Sequence, residues 1–102
     1  MQELLKKVHK LQEYAVSNGI SFSTEYEAST KYQTAIIKAS IEFLSTVSDI
    51  TDRRLFLMTF NQEDADLTTR WKLEALSKTL NQMIDSKEMF DSMTSFESDG
   101  KE

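Results

Sequence analysis

Between Gly19 and Gly100 the chain contains neither glycine nor proline, and it has no proline or cysteine at any position. Glycine supplies the positive φ angles of tight turns, whereas proline fixes φ and removes a hydrogen-bond donor. A stretch of about 80 residues without either lacks the usual markers of hairpins and bulges. Asn, Asp, Ser and Thr still suffice to cap and separate helices. This absence predicts an all-α protein.

The size and composition of the chain indicate one folded domain. A length of 102 residues suits a single domain, and a hydrophobic content of 39% argues against general disorder. No apolar run approaches the roughly 20 residues that cross a bilayer, and the charged start does not resemble a signal peptide. We therefore predict a cytoplasmic protein without a membrane partner, which the absence of cysteine also favours.

The charge of the chain is unevenly distributed. Residues 1–60 carry seven basic and seven acidic side chains, whereas residues 61–102 carry five basic and ten acidic ones. The whole net charge of −5 therefore lies in the C-terminal part. Because binding to a phosphate backbone needs clustered Lys and Arg, this balance argues against a nucleic-acid partner. Mimicry of nucleic acid by the acidic part remains an open alternative.

Apolar spacing predicts helices at both ends of the chain. Residues 3–18 form the first helix, which ends at Gly19, a residue free to adopt the left-handed conformation. The fourth helix covers residues 64–93, and residues 94–102 form an acidic flexible tail. The two apolar seams that define these helices are Leu4, Val8, Leu11 and Ala15 in the first and Leu73, Leu76, Leu80, Met83 and Phe90 in the fourth.

The middle of the chain is predicted to hold two more helices. Thr24 and Glu27 match a capping box, so a second helix runs from Glu25 to Ser48. A break rich in Ser, Asp and Thr over residues 48–52 leads into a short third helix over residues 52–60. The seam of the second helix is Tyr32, Ile36, Ala39, Phe43 and Val47. The predicted fold is an antiparallel bundle of three long helices and one short helix, without a sheet, over residues 1–93.

The chain offers few groups for catalysis or metal binding. It has one histidine, no cysteine and no glycine-bearing nucleophile turn. Glu63, Asp64 and Asp66 form the densest acidic cluster, but they lack the glycine and the spacing of a calcium loop, and we interpret them as acids favoured at a helix N-terminus. We predict no catalytic residue, no cofactor and no metal, and hence no enzyme.

Three short patterns resemble functional motifs. The run from His9 to Ala15 resembles the phospho-accepting segment of histidine phosphotransfer domains, with Gln12 and Glu13 where that family has Lys and Gly. Asp91 and Ser92 resemble the phosphopantetheine site of acyl carrier proteins. In length and lack of cysteine the chain resembles exported helical hairpins of the type VII class, although Trp71 lacks their Trp-x-Gly turn. The first and third resemblances imply alternative functions, phosphotransfer through His9 and export.

The function that the sequence favours is protein–protein interaction through a helical surface, as in an accessory, adaptor, inhibitor or chaperone-type module. Residues 55–60 contribute five large apolar side chains, which a single helix would point in all directions. A second copy of the chain, or another protein, is therefore the expected partner. The predicted partner-binding residues are Arg53, Arg54, Phe56, Phe60 and Phe90.

Overall fold

A computed structural model of the chain describes the backbone of residues 1–47 and 49–100, with their side chains except those of residues 45–47, 50, 52 and 93–100. It shows an α+β fold with two helices and one sheet. The prediction of an all-α bundle without a sheet is therefore wrong. In chain order the elements are α1 (Gln2–Ser17), β1 (Ser21–Ser29), β2 (Thr34–Val47), β3 (Ile50–Asn61) and α2 (Asp66–Gly100).

The three strands form one antiparallel sheet in the order β1-β2-β3. The register between β1 and β2 is continuous from the pair Ser21 and Glu42 to the pair Ser29 and Thr34. Between β2 and β3 it is continuous from Ile36 and Asn61 to the turn at Val47. Neither ladder contains a bulge, so the side of the sheet on which each side chain lies follows directly from its position.

Strict alternation along β2 explains why residues 34–47 form a strand. Its odd-numbered side chains from Ala35 to Phe43 are buried, whereas Lys38 and Leu44 between and after them are exposed. This period of two is typical of a strand with one covered face. The apolar residues are dense enough to match a helical spacing as well. The predicted helix from Glu25 to Ser48 was therefore wrong, and so was the short helix over residues 52–60, which lies in β3.

Both hairpin turns form without glycine or proline. Gln33 closes the four-residue turn before β2 with φ of 51°, and Asp49 has φ of 70° in the two-residue turn before β3. Asp is among the residues that adopt the left-handed region most readily after glycine. The premise that a chain needs glycine or proline for its hairpins consequently fails here.

Both helices pack on the same face of the sheet, and their predicted seams are confirmed. Val8 and Ala15 of α1 and Leu76, Leu80, Met83 and Phe90 of α2 are buried in the core. They pack against the covered face of the strands, which contributes Phe22, Ile37, Ala39, Ile41, Phe43 and Phe60. The rings of Phe43 and Phe90 meet edge to face at 6.2 Å between centroids, which fixes α2 against β2.

The predicted role of Gly19 at the end of α1 is confirmed. Its φ is +78°, and a Cβ atom at this position would lie 2.6 Å from Cε of Lys87. The positive φ is what favours glycine here, since the end of the flexible Lys87 side chain can move away from a Cβ atom. The helix α2 continues to Gly100, beyond the predicted helix end at residue 93. The flexibility of residues 94–102 stays a prediction. Neither described helix combines the length and the apolarity needed to cross a membrane.

Candidate functional site

The face of the sheet that the helices leave uncovered carries a small apolar patch. Leu44, Leu55 and Leu57 are 61%, 54% and 66% exposed. Leu44 lies opposite Arg53 and therefore diagonal to Leu55, while Leu57 follows Leu55 on the same face of β3. We call these three residues the leucine patch. Elsewhere on this face the large apolar side chain is that of Ile36, which is half-buried.

Most other side chains of the open face are small, polar or charged. Arg53 and Glu42 form an ion pair of 3.4 Å, and Lys38 and Glu27 form one of 3.5 Å. Exposed pairs of this kind add little stability. A shallow depression of about 320 Å³ lies beside Leu57, lined by Ser23, Ser40, Glu25 and Lys38 among others. Its floor is low because the two serines that face each other across β1 and β2 are small.

The free edge of β3 is the second component of the site. In an antiparallel ladder, consecutive residues alternate in pointing their N–H and C=O groups toward the neighbouring strand or away from it. Asn61 donates its N–H to Oδ2 of Asp64 at 3.0 Å, and the carbonyl of Thr59 accepts from Nζ of Lys72 at 2.8 Å. Both bonds lie away from β2, so the odd-numbered residues of β3 point outward.

Three outward residues of β3 have no such partner. Because the register contains no bulge, Arg53, Leu55 and Leu57 point their N–H and C=O groups to the same side as Thr59. Within the part of the chain that the structure describes, no group bonds these backbone atoms. We call the outward backbone groups of Arg53, Leu55 and Leu57 the free edge. Two of these residues also contribute their side chains to the leucine patch.

An ion pair between Lys72 and Asp64 closes the last residues of β3, which follow the free edge. Nζ of Lys72 lies 2.7 Å from Oδ2 of Asp64, and both side chains are largely buried. The hydrogen bond from Lys72 and then the N–H of Asn61 hold the pKa of Asp64 below its usual value. Asp64 was predicted as a first-turn acid of a helix. It instead precedes α2, which begins at Asp66, and completes the hydrogen bonding of the edge.

The opposite edge of the sheet is closed near its start. The side-chain amide of Gln12 in α1 donates to the carbonyl of Phe22 at 3.1 Å, and its oxygen accepts from the hydroxyl of Thr24 at 3.0 Å. Further along β1 the open face carries Glu25 and Glu27. Thr24 and Glu27, predicted to form a helix cap, are thus strand residues with other partners.

The structure separates the five residues that the sequence suggested for partner binding. Arg53 and Arg54 are exposed on opposite faces of β3, and Phe56 is half-buried against the core. Phe60 is fully buried and Phe90 is 8% exposed, so neither is on the surface of a single chain. Leu55 and Leu57 belong to the apolar segment of residues 55–60 from which an interface was predicted, whereas Leu44 was not predicted to bind a partner. Alternation along residues 53–60 was the signal that identifies which side chains point outward.

The residues of the three motif resemblances lie apart. His9 and Ser92 are exposed on α1 and α2, and Trp71 lies within α2 with 67% of its surface exposed. Phosphotransfer domains and type VII hairpins imply all-helical folds, which the sheet of this chain does not match. Among the described side chains, no three His, Cys, Asp or Glu residues lie close enough together to hold a metal ion.

The fold is an α+β sandwich of two layers, one sheet and one pair of helices, with a partly open sheet edge. Comparison of the chain with family models, with curated proteins and with solved structures finds no match. The interpretation of its function therefore depends on its own geometry.

Proposed function

We propose that this chain is a non-catalytic protein–protein interaction module that binds an extended polypeptide segment along the free edge of β3. The observation that carries the proposal is the outward run of Arg53, Leu55 and Leu57, whose backbone groups have no partner among the described residues. An added strand gains main-chain hydrogen bonds at such an edge, while alternate side chains provide the selectivity.

The leucine patch supports this proposal because it continues the edge on the open face. A bound strand would place every second side chain beside Leu55 and Leu57, and removing about 100 Å² of apolar surface from water contributes about 2.5 kcal/mol. Natural proteins protect exposed edges with charged side chains, proline, bulges or a covering element. Arg53 and Arg54 place charge at the start of this stretch, but from residue 55 to residue 60 β3 has no charged side chain, proline or bulge.

We further propose that the binding takes place in the cytoplasm. The support is the absence of cysteine from the whole chain, since cysteine-rich disulfide frameworks are typical of small secreted domains.

A peptide selection tests the proposed binding mode. Random 12-residue peptides are selected on the immobilised chain, and their affinities are measured by fluorescence polarisation against Leu57→Pro. Because the N–H of residue 57 points away from β2, this change removes a donor from the free edge without breaking the ladder. We expect selected peptides with alternating apolar residues, which lose at least about tenfold in affinity for the variant.

Ala28→Pro is the matched control, because residue 28 points its N–H outward at the opposite edge. Circular dichroism checks that both variants keep the native secondary structure. Equal peptide affinity for wild type and Leu57→Pro, or an equal loss in Ala28→Pro, would contradict binding at β3.

A further inference from the structure

We infer that the segment bound at the free edge is β3 of a second copy of this chain, paired antiparallel about a two-fold axis at Leu55. This inference rests on the proposed function and names the partner of the same edge. Its basis is the even spacing of the three unpaired residues, since Leu55 lies midway between Arg53 and Leu57. An antiparallel second copy can therefore pair with all three at once.

The hydrogen bonding of this register uses every free group. The outward residues of the two copies would form directly bonded pairs, in which each pair exchanges two N–H···O bonds. Leu55 pairs with Leu55 of the second copy, and Arg53 pairs with Leu57 in both directions. The three pairs supply six main-chain hydrogen bonds. None of them requires the carbonyl of Thr59, which Lys72 already occupies.

Charge separates this register from its neighbours. Centring the pair on Arg53 or on Arg54 would place two arginines directly opposite each other, and like charges opposite one another destabilise a strand pair. Centring it on Phe56 would place Arg53 opposite Thr59, whose carbonyl is occupied, and centring it on Leu57 would do the same to Leu55. The Leu55 register keeps the arginines apart and pairs all three outward residues with one another.

The side chains on the open face also match in this register. A two-fold axis perpendicular to the sheet keeps both open faces on one side, so the leucine patches of the two copies merge around the central pair of Leu55 residues. Each Arg53 lies opposite a leucine, against which its aliphatic stem packs, while its guanidinium keeps Glu42 of its own chain as partner at 3.4 Å. The product is a six-stranded sheet with all four helices on the other side.

Charge at the other edge favours an assembly of only two copies. An isologous contact uses the free edge of each chain once. The outer edges are then the two β1 strands, on which Gln12 bonds the carbonyl of Phe22. The outward groups of Tyr26 and Ala28 have no partner among the described residues, but the neighbouring Glu25 and Glu27 on the open face disfavour further pairing there. A five-residue contact spans only about 17 Å, so the dimer depends on concentration. Each copy has a net charge of −5, and screening by salt therefore favours association.

Single-cysteine variants test the register, since the chain has no cysteine of its own. In Leu55→Cys the two residues meet across the axis at the Cα separation of a bonded antiparallel pair, about 5.5 Å, which a disulfide accepts. We expect mild oxidation to convert this variant into a covalent dimer. A mixture of Arg53→Cys and Leu57→Cys should form mixed dimers in preference to either homodimer.

Ser21→Cys is the matched control, because residue 21 lies in the same row of the open face as Leu55 but on β1. Sedimentation equilibrium of the wild type should show the mass rising with concentration from 11.8 kDa toward twice that value. In Leu57→Pro this rise should be lost.

The outcomes distinguish this inference from the proposed function. A wild type that stays monomeric, with Leu55→Cys cross-linking no more than Ser21→Cys, overturns the second copy as partner. If selected peptides still bind that monomer and lose affinity for Leu57→Pro, the proposed function stands and the partner is another protein. If no peptide binds either, both proposals fail. Preferential cross-linking of Ser21→Cys would show a dimer through the other edge and would also overturn the inference.

Discussion

The two edges of the sheet differ in what reaches them from the helices. At β1, Gln12 of α1 bonds the carbonyl of Phe22 and the hydroxyl of Thr24. At β3, Lys72 of α2 bonds the carbonyl of Thr59, but nothing in the described structure bonds the outward groups of Leu55 and Leu57. Both helices contribute one long polar side chain to an edge, and each side chain closes only the part within its reach.

This difference shows that edge protection in a small two-layer fold is local. Two helices cannot cover both long edges of a three-stranded sheet, so single side chains perform that role at a few positions. The acidic residues on the open face of β1, Glu25 and Glu27, add a charge barrier that residues 55–60 of β3 do not have. Variants at buried and exposed positions of β3 test the difference between the two faces of the sheet. Variants of Lys72, Asp64 and Gln12 test the positions at which side chains close its edges.

The largest expected effect separates the two faces of β3 itself. Phe60→Ala removes a fully buried side chain and leaves a cavity, so we expect the free energy of unfolding to fall by about 4 kcal/mol. Leu57→Ala, on the open face three residues earlier, should change it by less than about 0.5 kcal/mol. Urea denaturation measures both, at a protein concentration at which sedimentation shows the monomer. Similar losses for the two variants would show that the open face is packed within a single chain.

Removing the closure at the end of β3 should have the next largest effect. Lys72→Met keeps the length of the side chain but removes its bonds to Thr59 and Asp64, so we expect a loss of about 2 kcal/mol in the free energy of unfolding. It also lengthens the free edge by one carbonyl and should increase self-association. Lys78→Met, an exposed position on the same helix, is the control and should leave both quantities unchanged.

Acid should weaken the same closure. The pKa of Asp64 is lowered in the folded state from its ordinary value of 3.8, mainly by the hydrogen bond from Lys72. Its contribution to stability is therefore complete above pH of about 4 and is lost as the pH falls through the lower folded pKa. Urea titrations from pH 6 to pH 2 should show the gap between wild type and Asp64→Asn narrowing below about pH 4. A gap that stays constant to pH 2 would contradict the lowered pKa.

The smallest expected loss of stability comes from removing the side chain that closes the β1 edge. Gln12→Ala removes the side chain that bonds Phe22 and Thr24 at β1, and should cost about 1 kcal/mol. Hydrogen exchange measured by mass spectrometry should become faster in residues 22–26, with no change in residues 53–57. Gln82→Ala, an exposed glutamine on α2, serves as the control. Unchanged exchange in β1 would mean that Gln12 does not protect this edge.

The helices were predictable because each has a long apolar seam with one period. Val8 and Ala15 recur on one face of α1, and Leu76, Leu80 and Met83 recur on one face of α2, so the helical interpretation has no strong competitor. Gly19 was also predictable, since a positive φ after a helix favours glycine. Partner binding by residues 53–60 stays a prediction. The geometry of β3 adds to it the side chains and backbone groups that would make the contact.

The middle of the chain was not predictable in the same way. Residues 36–43 contain two apolar patterns at once. Ile36, Ala39 and Phe43 have a helical spacing, whereas Ile37, Ala39, Ile41 and Phe43 alternate with a period of two, and only the burial of the second set decides between them. Asp49 and Gln33 supply the left-handed turn conformations for which no glycine is present. The bonds of Gln12 and Lys72 to strand carbonyls join residues 10 and 13 positions apart.

The sequence by itself therefore determined the two end helices, the stop at Gly19 and the apolar content of residues 34–60, because these depend on local periodicity and on backbone conformation. The tertiary structure alone decided that residues 34–60 pair as strands, since a half-buried strand is stabilised by its neighbours and by the helices that cover one face. It also decided which positions of each edge are closed. That property depends on which carbonyls the side chains of Gln12 and Lys72 can reach, and no local pattern encodes such distances.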